Sequence, residues 1–265
     1  MPEAFDYATL EVRRDGDFLW VNLNNPAKAN ALSPRMLDEV ADLYGRPLRR
    51  DGIRAVLLGG AGKHFSAGAD LEHLERLREA GPEENRRDSE RLRALFAAVL
   101  GQEALTVALV HGSCVAGGCG LATAHDYVIA AEDARFMYSE VRIGFVAALV
   151  ATFLPLRVKG RDLRELLLDP QFLPAERALE IGLVNRVVPA AELAPAGEAL
   201  AAGILERASS ESIARTKRLL LDAVGRPLGE ALERAAELNA EARATDDCRR
   251  GIAAFLETKQ PPRWR

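Results

Sequence analysis

Val115-Ala116-Gly117-Gly118-Cys119-Gly120-Leu121 reads as a turn between a strand and a helix, and it has a counterpart about fifty residues earlier in His64-Phe65-Ser66-Ala67-Gly68-Ala69-Asp70. Each follows a short β-rich apolar run, residues 54–59 and 105–110, and each leads into a segment with helical spacing. Tiny side chains at such a turn leave backbone N–H groups exposed at a helix start, where they lack internal partners. Two such turns side by side would aim two N–H donors at one oxygen atom. That is the geometry of an oxyanion hole, where one donor contributes roughly 3–4 kcal/mol. A single turn of this kind is equally what close strand–helix packing requires. The pair, followed by an acid at Glu140, points to chemistry.

Working outward, residues 9–13 and 18–23 flank Asp15-Gly16 and predict a β-hairpin. Ser33-Pro34 offers an N-cap and a first-turn proline, followed by Leu37, Val40, Ala41, Tyr44 and Leu48 on one helical stripe. Residues 53–58 form a continuous apolar run, expected of a strand covered on both faces. Residues 81–88 are polar and predict a mobile link into an amphipathic helix carrying Leu92, Leu95, Phe96, Val99 and Leu100. Residues 126–131 and 135–138 supply two more strands, and beyond 147 only 184–188 carries a strand signal. Helical patterns fill 192–207, 212–224, 228–244 and 248–258. Pattern alone therefore gives an α/β chain with helices at its C-terminal end.

The chain has 265 residues, 48% of them apolar, and a formal net charge of −4, which argues against nucleic acid as a partner. The N-terminal Met1-Pro2-Glu3-Ala4-Phe5-Asp6 carries neither a basic nor an apolar signal segment. Residues 104–124 lack Asp, Glu, Lys and Arg and are long enough to span a bilayer. They divide, however, into a strand, a glycine loop and a helix start, so a buried βα unit is expected and no membrane. Cys114, Cys119 and Cys248 make no C-x-x-C pair, and His64, His73, His111 and His125 lack zinc spacing. A cytoplasmic, metal-free protein is the expectation. No G-x-S-x-G surrounds Ser66, Ser113 or Ser139, and Gly59-Gly60-Ala61-Gly62-Lys63 fails the phosphate-loop pattern at Leu57 and His64.

Six motifs, in order, resemble the crotonase (enoyl-CoA hydratase/isomerase) superfamily. They are Asn25-Pro26-Ala27-Lys28-Ala29-Asn30-Ala31-Leu32, Phe65 to Leu71, Ala116 to Leu121 continuing to Asp126, Ser139-Glu140-Val141-Arg142-Ile143-Gly144, Ala178 to Val184, and Gly251 to Glu257. The likeness is greatest to a bacterial enoyl-CoA hydratase. It implies a fold of repeated ββα units over residues 1–190, with a helical region over 191–265 for assembly and site cover. It assigns the oxyanion hole to the N–H groups of Ala69 and Gly117, and the proton-transferring acid to Glu140. It assigns Lys28, Ala29, Ala67, Gly68, Asp70 and Leu71 to a coenzyme A cradle, with coenzyme A part of the substrate and no separate cofactor. Asp70 also reads as the cap of the helix that follows it. By the same likeness, a homotrimer or dimer of trimers brings Phe255 and Lys259 to coenzyme A at a subunit boundary. Intrinsically, the stripes Leu228, Ala231, Leu232, Ala235, Leu238 and Ile252, Phe255, Leu256 read as packing onto their own core.

Glu140 precedes the apolar run 143–149, so hydrophobic walls and a raised pKa are expected. Two positions depart from the family pattern. Many hydratases carry a second glutamate where this chain has Gly120, and Ala147-Ala148 replaces a common Pro-Gly pair. Asp126 and Glu132 are the nearest acids and lie too far along the motif to substitute. Three functions stay open: hydration of a 2-enoyl-CoA to a 3-hydroxyacyl-CoA, ranked first; 3-enoyl to 2-enoyl isomerisation by a single acid; and acyl-CoA binding without catalysis.

Overall fold

A computed structural model describes residues 5–265. The signal-segment reading falls largely on residues 1–4, which lie outside the described residues. Nine strands are present among those described: β1 (Leu10–Asp15), β2 (Phe18–Leu23), β3 (Ala55–Gly60), β4 (Leu105–Val110), β5 (Ser113–Val115), β6 (Tyr127–Ala131), β7 (Arg135–Met137), β8 (Leu173–Pro174) and β9 (Arg186–Val188). The helices are α1 (Pro34–Gly45), α2 (Leu71–Arg78), α3 (Pro82–Gly101), α4 (Gly117–Thr123), α5 (Val150–Phe153) and α6 (Gly160–Leu168). They continue with α7 (Ala175–Glu180), α8 (Leu193–Arg207), α9 (Ser210–Asp222), α10 (Leu228–Arg243) and α11 (Asp246–Thr258).

The main sheet runs β1-β2-β3-β4-β6-β9, parallel throughout except for the β1–β2 hairpin. A smaller sheet, β5-β7-β8, lies beside it. Its edge is prolonged by a parallel bridge between Ser66 and Cys114. β3, β4 and β6 are each followed by a short extended piece at the second sheet (Ser66, β5 and β7) and then a helical segment: β4, β5, α4 is the clearest unit. These are the expected ββα repeats.

Alternation along the strands divides two cores. Val56, Leu58, Ala108, Val110, Val128 and Ala130 face one cluster with α1, α3 and α4. Ala55, Leu57, Val107, Leu109 and Ile129 face a second, closed by Leu193, Leu200, Ala201 and Leu205 of α8. A β-carbon at Gly197 would lie 2.5 Å from Leu109 Cδ2, so α8 sits directly on the sheet. Among the described residues no helix is long and apolar enough to cross a membrane.

Local signals held where they depended on neighbours within a turn. Ser33 Oγ accepts from Met36 N at the start of α1, a cap worth about 1 kcal/mol. Three expectations are corrected. Residues 82–88 are helical, not a mobile link: Pro82 opens α3, with Glu83 and Glu84 in its first turn. Leu48 is buried but lies beyond α1, which stops before Pro47. A two-residue strand, β8, pairs with β7 inside the stretch that carried no strand signal.

Candidate active site

Two loops and one strand end converge at the C-terminal edge of β2, β3 and β4. After β2 the chain passes through Lys28 and enters a left-handed pair, Ala29 (φ 49°) and Asn30 (φ 54°). Asn30 is fully buried and organises the region. Its Nδ2 donates to the carbonyls of Ala61 and His64, both at 2.9 Å, and its Oδ1 accepts from Asn25 N. Ser66 Oγ donates to Asn30 O at 2.8 Å and accepts from Gly68 N at 3.2 Å. Ala67 N donates to Ala29 O, and Leu32 N to Gly68 O. Hydrogen bonds therefore tie the loop at Lys28–Leu32 to the turn at Ala67–Gly68, both parts of the sequence-predicted cradle. Neither Asn30 nor Ser66 carries a role in the sequence reading; each is a small polar residue within its motif.

The two glycine-rich turns touch. A β-carbon at Gly68 (φ 83°) would lie 2.7 Å from Val115 O, and one at Gly118 would lie 2.8 Å from Ser66 Cβ. Neither position accepts a side chain without separating the turns. Ala69 lies in a bridge with Leu32, and Gly117 is the first residue of α4. Among the described residues neither of their N–H groups donates to a partner within the chain. At Ala116 the backbone takes φ 48° and ψ −122°, a region that strains a residue with a β-carbon.

Glu140 arrives from the strand beside the second turn. Val115 pairs with Met137, and Ala116 N donates to Met137 O at 2.7 Å. Gly117 and Glu140 therefore leave adjacent strands at the same end. Glu140 opens a short 3-10 turn (Glu140–Ile143), half-buried, and its Oε2 is buried without a hydrogen-bond partner. Burial holds its pKa above the ordinary carboxylate range. The expected walls differ: Ile143, Phe145 and Val146 are 71, 58 and 65% exposed, so the apolar run faces outward in a single chain.

Asp70 caps α2 as expected, its Oδ1 accepting from His73 N at 3.1 Å. Lys28 Nζ lies 3.3 Å from Asp70 Oδ2 and 2.8 Å from Glu72 Oε2. Burial works to raise the Asp70 pKa, but the His73 N–H and Lys28 prevail and hold it low. Leu71 is 80% exposed. Phe255 and Lys259 are also exposed, at the end of α11, and the Lys259 ammonium turns back to Leu256 O. Within one chain their contacts do not join them to Lys28 or Glu140.

The enoyl-CoA hydratase/isomerase family model matches residues 14–265. The chain belongs to the enoyl-CoA hydratase/isomerase family. A Thermus thermophilus protein, provisionally named an enoyl-CoA hydratase, is 45% identical over 248 residues, covering 92% of this chain and 96% of the relative. The human mitochondrial Delta(3,5)-Delta(2,4)-dienoyl-CoA isomerase is 34% identical over 254 residues, covering 91% of this chain and 77% of its own. A crystal structure of an enoyl-CoA hydratase from Mycobacterium smegmatis has a TM-score of 0.88 at 30% identity, covering 97% of this chain and 99% of that one.

Within this family member, Gly120 is closely packed. A β-carbon there would lie 2.7 Å from Val150 Cγ2 and 2.8 Å from Phe96 Cζ. Phe96 is itself held edge-on against Phe153 at 5.3 Å between ring centroids. The space a second acid would take is filled by apolar side chains. Asp126 does not replace it: Lys217 at 2.7 Å and the Thr106 N–H and hydroxyl at 2.8 and 2.9 Å engage its carboxylate. Glu132 is exposed beyond β6.

Proposed function

We propose that this protein hydrates a 2-enoyl-CoA to a 3-hydroxyacyl-CoA, with Glu140 as the sole carboxylate of the reacting centre. The observation that carries the reading is the buried, unpartnered Glu140 Oε2 at the strand end adjoining the Gly117 turn. A buried acceptor without a partner is costly to a fold. Such a group fits a proton-transfer role.

In this reading the N–H groups of Ala69 and Gly117 hold the thioester oxygen. Lys28, Ala29, Ala67, Gly68, Asp70 and Leu71 hold the coenzyme A portion, so the substrate brings its own handle and the chemistry draws on no separate cofactor. The Glu140 carboxylate takes a proton from water as the water oxygen bonds to C3. The C2–C3 π electrons move onto the thioester oxygen, where the two donors stabilise the enolate. The enolate then takes the proton back from Glu140 at C2. One water is added and the carboxylate is regenerated.

Loss of enoyl-thioester absorbance on adding protein to crotonyl-CoA and longer analogues, with a product heavier by one water, is the expected result. The lack of a second acid beside Gly120 favours one other reading, proton shuttling from C2 to C4 as an isomerase. A 3-enoyl-CoA converted with no change in mass, and no hydration, selects it. Binding with no chemical change in either assay removes both.

Glu140 must be ionised to act on water. Because burial raises its pKa, activity is expected to climb with pH through a limb lying above the ordinary carboxylate range. A kcat profile flat from below that range upward would exclude Glu140 as the base.

We assign the assembly to a homotrimer or dimer of trimers. Leu238 is buried against its own chain, but Leu228, Leu232, Ile252, Phe255 and Leu256 are 75, 61, 53, 52 and 63% exposed, so much of these stripes is left uncovered in one chain. A neighbour covering them would carry Phe255 and Lys259 to the coenzyme A of an adjacent site. Light scattering at micromolar concentration checks this: a fully active monomer would end the proposal.

A further inference from the structure

The short helix α4 is gripped from behind. Its seven residues, Gly117–Thr123, span only about 10 Å, too few to be stable alone. Its entry residue, Ala116, sits in strained backbone that persists only where the surroundings impose it. Its carbonyls are bound by side chains of its own last turn and of the residues just after it, and then by one from a distant segment. Thr123 Oγ1 donates to Cys119 O at 2.8 Å. The His125 ring stands between Leu121 O, 2.8 Å from Nδ1, and the Tyr44 hydroxyl, 2.7 Å from Nε2. A carbonyl only accepts, so Nδ1 carries the proton toward Leu121. Burial holds His125 at a pKa of about 4, so the neutral ring's Nε2 accepts from Tyr44.

Arg157 completes the grip. It follows α5 and the 3-10 turn Leu154–Leu156, and its side chain is half-buried. Nε donates to Thr123 O at 2.8 Å, and Nη2 donates to His125 O. Nη1 lies 3.5 Å from Asn185 Oδ1, which in turn accepts from Val128 N of β6 at 2.8 Å. A planar fork spanning two carbonyls fixes direction as well as distance, which an ammonium does not. A helix of two turns moves as one rod, so fixing its last carbonyls fixes where its first N–H points.

We infer that Arg157, with the Thr123 hydroxyl beside it, is a positioning residue: by bridging the Thr123 and His125 carbonyls it sets the aim of the Gly117 N–H at the substrate oxygen. This rests on the reading of Gly117 as an oxyanion donor. Misplacement by a fraction of an ångström weakens the transition state more than the ground state, because the charge on that oxygen develops during reaction. The signature is therefore a loss in kcat with KM held.

The test compares wild type with Arg157→Lys, which keeps the charge and loses the fork. Three quantities are read: kcat and KM with an enoyl-CoA, acyl-CoA binding stoichiometry to count intact sites, and the absorption shift of a bound conjugated 2,4-dienoyl-CoA. That shift reports polarisation of the thioester carbonyl. The expected result is a smaller red shift and a per-site kcat lowered about tenfold or more, with KM within about threefold. An unchanged red shift and per-site kcat, with only the melting temperature lowered, would make Arg157 purely structural and overturn the inference. If Arg157→Lys does not fold, Arg157→Gln, which also loses the fork across the Thr123 and His125 carbonyls, is read by the same criteria. A wild-type protein that binds the dienoyl-CoA with no red shift would overturn the oxyanion reading itself, and the inference with it.

Discussion

Replacing Glu140 with glutamine is expected to lower turnover by about 10²–10⁴-fold, the range of general acid–base catalysis, while raising thermal stability. Both effects follow from one atom. Oε2 is buried without a partner, so its charge is useful to water and costly to the fold. The pH dependence has a definite sign. A carboxyl whose folded pKa is raised adds stability below its unfolded pKa and loses it as pH climbs through the folded value. The melting temperature of Glu140→Gln should therefore exceed that of wild type by a margin that grows with pH across this interval. Acyl-CoA binding should survive, since the cradle proposed at Lys28, Ala67 and Gly68 is untouched. Parallel calorimetry and initial-rate assays decide it. A variant with normal turnover removes Glu140 from the reaction, and one that melts earlier at neutral pH shows that its carboxylate is stabilising after all.

Substitution at Gly120 should have the largest effect on folding. Even alanine brings a β-carbon to 2.7 Å from Val150 Cγ2 and 2.8 Å from Phe96 Cζ. Phe96 and Val150 are themselves buried, so neither has open space to move into. Overpacking of this kind costs about 1–3 kcal/mol, a fall of several degrees in melting temperature for a chain this long. Gly120→Glu adds the burial of a charge among aromatic and aliphatic groups and is expected to leave no folded protein. A second acid cannot simply be restored by one substitution; the packing around Phe96 and Phe153 would have to change with it. Circular dichroism melting of the alanine and glutamate variants is the check. Wild-type melting in Gly120→Glu would mean that the Phe96 ring swings aside.

Glycine at position 120 was legible as a departure from the family pattern, but what stands there instead was not. Phe96 and Val150 lie 24 and 30 residues away along the chain; Phe96 reads as an ordinary core residue of its own helix, and Val150 falls in a stretch with no assigned pattern. The same holds for Arg157, whose partners Thr123 and His125 are reached through a turn with no motif. The apolar run after Glu140 read as an inward wall, because hydrophobicity does not record whether the covering surface belongs to the same chain. Residues 82–88 read as a link because their helix has no apolar face to display; the cap at Gly81-Pro82 was the signal that carried it.

By itself the sequence determined the hairpin at Asp15-Gly16, the caps at Ser33 and Asp70, the strand–turn–helix units at Gly68 and Gly117, and the acid at Glu140. Each depends on interactions within a turn or two, on backbone sterics and on alternation between faces, all of which a linear pattern preserves. Only the tertiary structure decided that the two glycine turns meet through Gly68 and Gly118, that Phe96 and Val150 close over Gly120, that Arg157 grips the back of α4, and that Ile143 to Val146 face outward. Those outcomes turn on which atoms of distant segments approach within a few ångströms, and close packing fixes that only when the whole chain has condensed.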